Sequence, residues 1–179
     1  MSAGNAWAVG DYSSGTSDKT LVLHWNGRKW ARSASPNPSG TVTNIQLHGV
    51  SATSGDNAWT VGTNTLNGGV QKTITMRWNG RAWKIVANPS PGQEPSLAGV
   101  SAVSARNAWA VGSYLAGSNN QTLIMHWDGR AWDQIVSPAP GNASLLNGVA
   151  AASASNVWAV GAYFNNGTTP PQNLAIHCC

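Results

Sequence analysis

The sequence predicts an all-β fold, a β-propeller of four-stranded antiparallel blades, and three observations predict it. First, the phrase Asn-Ala-Trp-Ala-Val-Gly stands at 107–112 and again from Asn5, and returns with one change from Asn57 (NAWTVG) and from Asn156 (NVWAVG). Its tryptophans, Trp7, Trp59, Trp109 and Trp158, lie 52, 50 and 49 residues apart, and self-similarity at such a period marks a repeat architecture. Second, the phrase alternates large with small rather than apolar with polar. On a strand Trp109 and Val111 face one way and Ala108, Ala110 and Gly112 the other, so both faces are apolar and both must be covered. The large face of one sheet can fill the hollow left by the small face of the next, in sheets stacked about 10 Å apart. Third, Gly and Pro punctuate the chain roughly every 10–15 residues, which excludes helical repeats. Four-stranded units of about 50 residues fit propeller blades.

The third repeat gives the clearest order of elements. Leu97–Ala102 is short, small and apolar and reads as strand A; Asn107–Tyr114 carries the phrase as strand B; Gln121–Trp127 is strand C; Trp132–Val136 is strand D. Asp128-Gly129, like Asn26-Gly27 and Asn79-Gly80, joins C to D, and such a pair predicts positive φ at both centres of a type I′ hairpin. Ser54-Gly-Asp-Asn57 and Ser104-Ala-Arg-Asn107 read as A-to-B turns in which Asn or Asp bonds its own backbone. The segments Pro36–Gly40, Pro89–Gly92 and Pro138–Gly141 exclude helix and ladder alike and carry the chain from one blade to the next.

In chain order, residues 1–44 hold strands B, C and D and lack A. Residues 45–96 and 97–144 are whole repeats, and 145–179 hold A, B and C and lack D. The expectation is therefore a single repeat domain over 1–179 with three A, four B, four C and three D strands, or three and a half to four blades. Propellers generally have four to eight blades, so the ring is expected to be completed by oligomerisation, with a homodimer favoured. At the end of the chain Cys178 and Cys179 take the repeat places of Trp127 and Asp128. Neighbours on a strand point to opposite faces, which argues against a metal or redox site at His177-Cys178-Cys179.

Composition narrows the function classes. Only 9% of the 179 residues are charged, against roughly 25% in an average soluble protein, so Ser, Thr, Asn and Gln must carry solubility. The net charge is +4, but Arg28, Arg81 and Arg130 fill one repeat position on different blades, not the clustered stripe of a nucleic-acid binder. No apolar run approaches the roughly 20 residues of a membrane span, and no signal peptide precedes the first repeat.

No catalytic constellation emerges. Glu94 is the one glutamate and sits in a Pro-Gly crossing, and the aspartates point to no paired-carboxylate site of the kind glycoside hydrolysis uses. No nucleophile motif or phosphate loop is present, so no enzymatic activity and no cofactor are expected. His24, His126 and His177 share one repeat place with Arg77. Equivalent C-strand residues on adjacent blades should lie roughly 12–15 Å apart at about 4.8 Å per strand, too far for a metal whose ligands stand near 2 Å. They are expected to pack between blades with one hydrogen bond each.

The pattern GVSA…NAWAVG…TL-HWNGR-W…SP-PG resembles the Trp-rich propeller repeats of large secreted or surface proteins of filamentous and multicellular bacteria, and is distantly similar to tectonin- and tachylectin-type lectin propellers. The resemblance covers essentially the whole chain. It implies a propeller fold and a secreted or cell-surface parent protein, and because one fold hosts many functions it does not assign one. These repeats are longer than those of tectonins. They also lack the one-residue-longer turn of the sialidase Asp-box, so no sialidase chemistry is carried over.

The strands repeat while the B-to-C loops differ (12–19, 64–72, 114–121 and 163–173), and binding residues concentrate in loops on a rigid scaffold. Tyr12, Tyr114 and Tyr163 open three of these loops and Asn64 the fourth. With Asn67, Asn119, Asn120, Asn165 and Asn166 they supply flat apolar faces and amides, which is what a sugar-binding pocket needs. The expected function is a multivalent, lectin-like, carbohydrate-binding propeller with glycans and a second copy of itself as partners. The alternative is a structural or protein-interaction scaffold with no small-molecule ligand.

Overall fold

A computed structural model describes residues 4–15, 17–40, 42–165 and 170–178. Among these, all regular structure is β: fourteen strands in four separate antiparallel sheets, with no helix. The first sheet has β1 (Ala6–Ser13), β2 (Asp18–Trp25) and β3 (Trp30–Arg32). The second has β4 (Val42–Ser54), β5 (Asn57–Leu66), β6 (Gln71–Trp78) and β7 (Trp83–Val86). The third has β8 (Gln93–Ser104), β9 (Asn107–Ala116), β10 (Asn119–Trp127) and β11 (Trp132–Ile135). The fourth has β12 (Ala143–Ser153), β13 (Asn156–Phe164) and β14 (Gln172–Cys178). Each sheet is a meander of sequential strands, the arrangement that the repeated turn signals predict.

The turns differ from expectation in mechanism. Of each C-to-D pair only the glycine has positive φ, 90° at Gly27, 89° at Gly80 and 99° at Gly129. Trp25 pairs with Trp30, Trp78 with Trp83 and Trp127 with Trp132, so the loop has four residues and is not a type I′ turn. The residue before the glycine acts through its side chain. Asn79 Oδ1 accepts from the N–H groups of Arg81 and Ala82, both at 3.0 Å, and Asn26 and Asp128 do the same in their loops. In the A-to-B turns serine does the work expected of Asn or Asp: Ser54, Ser104 and Ser153 Oγ accept from the N–H two residues on.

Sheet packing follows side-chain parity. Trp59 and Val61 on the large face of β5 bury against Ala108 and Ala110 on the small face of β9, with Leu97, Leu123 and Met125 around them. Trp7 meets Ala58, Ile74 and Met76 in the same way, and Trp109 and Val111 meet Val157 and Ala159. In the first two interfaces the phrase tryptophan enters the tryptophan pair of the next hairpin. Trp7 lies 5.2 Å from Trp78 and 5.1 Å from Trp83, and Trp59 lies 4.9 Å from both Trp127 and Trp132. Trp158, expected in the core with the other three, is instead 50% exposed, because no described sheet covers its side of the fourth.

The strands β4, β8 and β12 that open the second, third and fourth sheets approach one another closely. A Cβ on Gly49 would stand 3.3 Å from Gly99 Cα, and one on Gly99 3.4 Å from Gly148 Cα. Ser51 Oγ accepts from Ala102 N–H and Ser101 Oγ from Ala151 N–H, each at 3.0 Å, linking neighbouring sheets there. A β-bulge precedes each of these glycines (Leu47/Gly49, Leu97/Gly99, Leu146/Gly148), bending the strand. The bulge drives a backbone carbonyl toward the phrase glycine: a Cβ on Gly62, Gly112 or Gly161 would fall well under 3.0 Å from the carbonyl oxygen of Gln46, Ser96 or Leu145.

Candidate binding surface

Because successive strands run in opposite directions, the B-to-C loops and the crossings between sheets share one end of the stack, while the A-to-B and C-to-D turns share the other. The crossings are pinned to their sheets by a repeated threonine. Thr20, Thr73 and Thr122 Oγ1 meet the hydroxyls of Ser35, Ser90 and Ser137 at 2.8, 2.6 and 2.6 Å, and each also donates to a proline carbonyl of the crossing. This turns Pro-rich segments into a fixed platform beside the variable loops.

Three of the residues singled out in those loops are engaged in packing. Tyr12 accepts a hydrogen bond from Arg32 Nη2 at 2.7 Å, and the guanidinium lies 4.3 Å from its ring centroid. Tyr114 is half-buried with its ring against Gly92, and Tyr163 is half-buried on the core between the third and fourth sheets. Asn64 is buried inside β5. The amides Asn67, Asn119, Asn120 and Asn165 are exposed, and Asn166 lies outside the described residues.

Between the loop of the second sheet and the start of the third lies a hollow of about 270 Å³, lined by Val70, Gln71, Lys72, Gln93, Glu94 and the glycines 68, 69 and 92. Gln71 Nε2 donates to Pro95 O at 3.4 Å. Glu94 has φ of 48°, the one non-glycine residue in that region among those described, where an L-residue pays roughly 1–2 kcal/mol. Glu94 was legible only as a crossing residue. The structure corrects that reading: Glu94 lies in β8, within the irregularity between Gln93 and Ser96 that opens the strand, and the available signal was its setting, Pro-Gly-Gln-Glu-Pro.

The opposite end carries a hollow of about 470 Å³ lined by Arg106, Asp128, Gly129 and Arg130. The N–H groups of Ala131 and Arg130 hold the Asp128 carboxyl below the usual carboxylate range. The second sheet places Asp56 against Gly80 where the third places Arg106 against Gly129, so this charge pattern is not repeated.

The histidines of the C strands stand against the phrase tryptophans. His24, His126 and His177 lie 4.3, 4.3 and 4.5 Å from the rings of Trp7, Trp109 and Trp158. Their Nε2 atoms meet Asn5, Asn107 and Asn156 at 2.8, 3.1 and 3.2 Å. Arg77 takes the same place in the second sheet, donating from Nε to Asn57 Oδ1 and lying over Trp59. The first residue of the phrase thus holds the C-strand partner of its tryptophan. Burial pushes the His126 imidazole below its ordinary pKa, partly offset by Asp128 and Asp133. No three His, Cys, Asp or Glu among the described residues are grouped to hold a metal ion, and Cys179 lies outside those residues. Among the described residues no helix is long and apolar enough to cross a membrane. Compared with known protein families and with curated proteins, the sequence gives no match.

Proposed function

We propose that the four sheets are blades of a β-propeller, stacked radially with β4, β8 and β12 innermost, and that the protein is a non-enzymatic, multivalent binding module for carbohydrate. The close approach at Gly49, Gly99 and Gly148 supports the radial arrangement, since sheets fanned about an axis come nearest at their inner strands. The observation that carries the binding reading is the loop-end hollow. Its two glutamines each offer a donor and an acceptor, Glu94 accepts from paired hydroxyls, and three glycines leave backbone open to a close ligand. Glu94 is the one carboxylate among its lining residues, which favours binding over the two-carboxylate chemistry of glycoside hydrolysis. Weak sites on successive sheets would gain through avidity, as suits a bacterial secreted or cell-surface protein of the Trp-rich propeller type.

A glycan array probed with the intact chain tests this, with Glu94→Gln and Gln93→Ala as variants. Binding to a defined sugar that weakens at least tenfold in both variants is the expected result. A folded chain that binds no glycan sinks it. The packing of Tyr12, Tyr114 and Tyr163 favours a second reading, a protein-interaction scaffold whose loop aromatics are structural; it predicts the silent array.

A further inference from the structure

We infer that a second copy of this chain docks head-to-tail on the open faces of the four-sheet stack, with Trp158 of one copy entering the Trp25–Trp30 hairpin pair of the other.

The two interfaces that already hold this arrangement define what docking requires. A phrase tryptophan, backed by its C-strand partner, enters a pair of hairpin tryptophans across a small face. The receiving pairs have one geometry: Trp78 and Trp83 lie 5.9 Å apart at 45°, and Trp127 and Trp132 lie 6.0 Å apart at 51°. Trp25 and Trp30 lie 5.8 Å apart at 48°, so the receiving geometry is preformed on the first sheet. Trp30 is nevertheless 47% exposed, where its counterparts Trp83 and Trp132 are each 3% exposed. Around it Leu21 and Leu23 are half-buried, whereas their equivalents Ile74 and Met76, and Leu123 and Met125, are buried in the first two sheet interfaces.

The opposite end of the stack supplies the matching half. Trp158 is stacked on His177 at 4.5 Å and 26°, close to the 4.3 Å and 31° of Trp7 on His24, and to the 4.3 Å and 32° of Trp109 on His126. Its packing on the C-strand histidine is therefore that of the buried phrase tryptophans, yet Trp158 and Val160 are each 50% exposed. One end of the chain presents the knob and the other the hole, so neither face complements itself. The contact is heterologous, and such contacts close into a ring when their rotation allows. Two copies bring eight sheets, the upper end of ordinary propeller size, and bury both faces of both chains. A single tryptophan buries on the order of 150–250 Å², so two equivalent contacts remove the largest exposed aromatic surface at once. This inference rests on the sheet interfaces and is independent of any sugar ligand.

The test is the mass in solution of the purified chain, by light scattering on a sizing column and by native mass spectrometry. The expected result is one species at twice the 18.6 kDa chain mass. Trp158→Arg, which spoils the knob, and Ala8→Trp, which fills the hollow, should each give a monomer with unchanged far-ultraviolet circular dichroism. Trp30→Ala, at the exposed lip of the hole, serves as the second hole variant should Ala8→Trp not fold. Mixing Trp158→Arg with Ala8→Trp leaves one intact knob and one intact hole, and should restore a doubled mass that dissociates at least tenfold more readily than the wild type. A wild-type monomer overturns the inference, because the faces then await a different partner. A ladder of growing masses overturns the closed pair. A doubled mass that survives both single variants places the contact elsewhere and overturns it too.

Discussion

Replacing Gly112 with alanine should destabilise the protein by about 2 kcal/mol or more, while the same change at Gly10, in the same phrase, should be neutral or stabilising. A Cβ at Gly112 would fall well under 3.0 Å from Ser96 O and 2.9 Å from Leu97 Cα. Both are backbone atoms of the bulged β8, so no rotamer change relieves the contact, and the strand must move. Overpacking of this kind costs roughly 1–3 kcal/mol, occasionally more, and a backbone collision belongs at the upper end. Alanine recovers roughly 0.5–1 kcal/mol over glycine within a strand, which leaves the net loss near 2. At Gly10 nothing lies within 4 Å of the same Cβ, because β1 is the edge of a three-stranded sheet, and only the alanine gain remains. Urea unfolding followed by tryptophan fluorescence separates the two cases. With a slope of roughly 1–3 kcal/mol per molar urea, the Gly112→Ala midpoint should fall by about 1 M while that of Gly10→Ala stays or rises. Equal midpoints for the two variants would refute the account of the bulge.

Four further outcomes follow from the same geometry. Trp59→Ala should cost about 3–5 kcal/mol, since Trp59 is buried between two tryptophans, whereas Trp158→Ala in a dissociated chain should cost well under half of that; thermal unfolding of both variants checks the contrast. Asn79→Ala should destabilise by about 1 kcal/mol through loss of its two backbone bonds, and Asn79→Asp should be tolerated because Asp128 fills the same role, as denaturant midpoints would reveal. His126 is held neutral by burial, with its folded pKa below the ordinary value of about 6.5. The unfolded chain therefore takes up its proton first as pH falls, so this contribution is full above about pH 6.5 and is lost progressively below it. His126→Gln should flatten that part of the stability–pH curve, and an unchanged slope would contradict the assignment. Thr73→Val should loosen the crossing after the second sheet, read as faster hydrogen exchange over residues 87–92 with little change in the core.

The repeat phrase made the strands legible because its signals are local and occur several times. Alternation of Trp and Val with Ala and Gly is fixed by the covalent geometry of an extended chain, so the sequence alone determined which side of each strand is large and which small. The four-sheet order and fourteen strands follow from that period together with the glycine and proline punctuation. The single hydrogen bond of His24, His126 and His177 could be anticipated from their shared place, but not its setting. Each stacks on the tryptophan paired with it in its own sheet, not between sheets, and His177 is exposed. What the sequence could not determine depends on atoms far away in the chain. Asn26, Asn79 and Asp128 read as positive-φ residues from their dipeptides, yet each keeps ordinary φ because its carboxyl or amide oxygen finds two N–H groups once the four-residue loop is closed. The tyrosines looked like open stacking faces, but Arg32, brought across the first sheet, covers Tyr12, and Gly92 in the preceding crossing receives Tyr114. Glu94 acquired its left-handed backbone at the irregular start of β8, between Gln93 and Ser96, where the strand joins the crossing. Trp158 carries the same local code as Trp7, Trp59 and Trp109, and only the tertiary structure decided that it stays exposed. Burial on a sheet face requires a second sheet, and a strand's own residues cannot specify whether that neighbour is there.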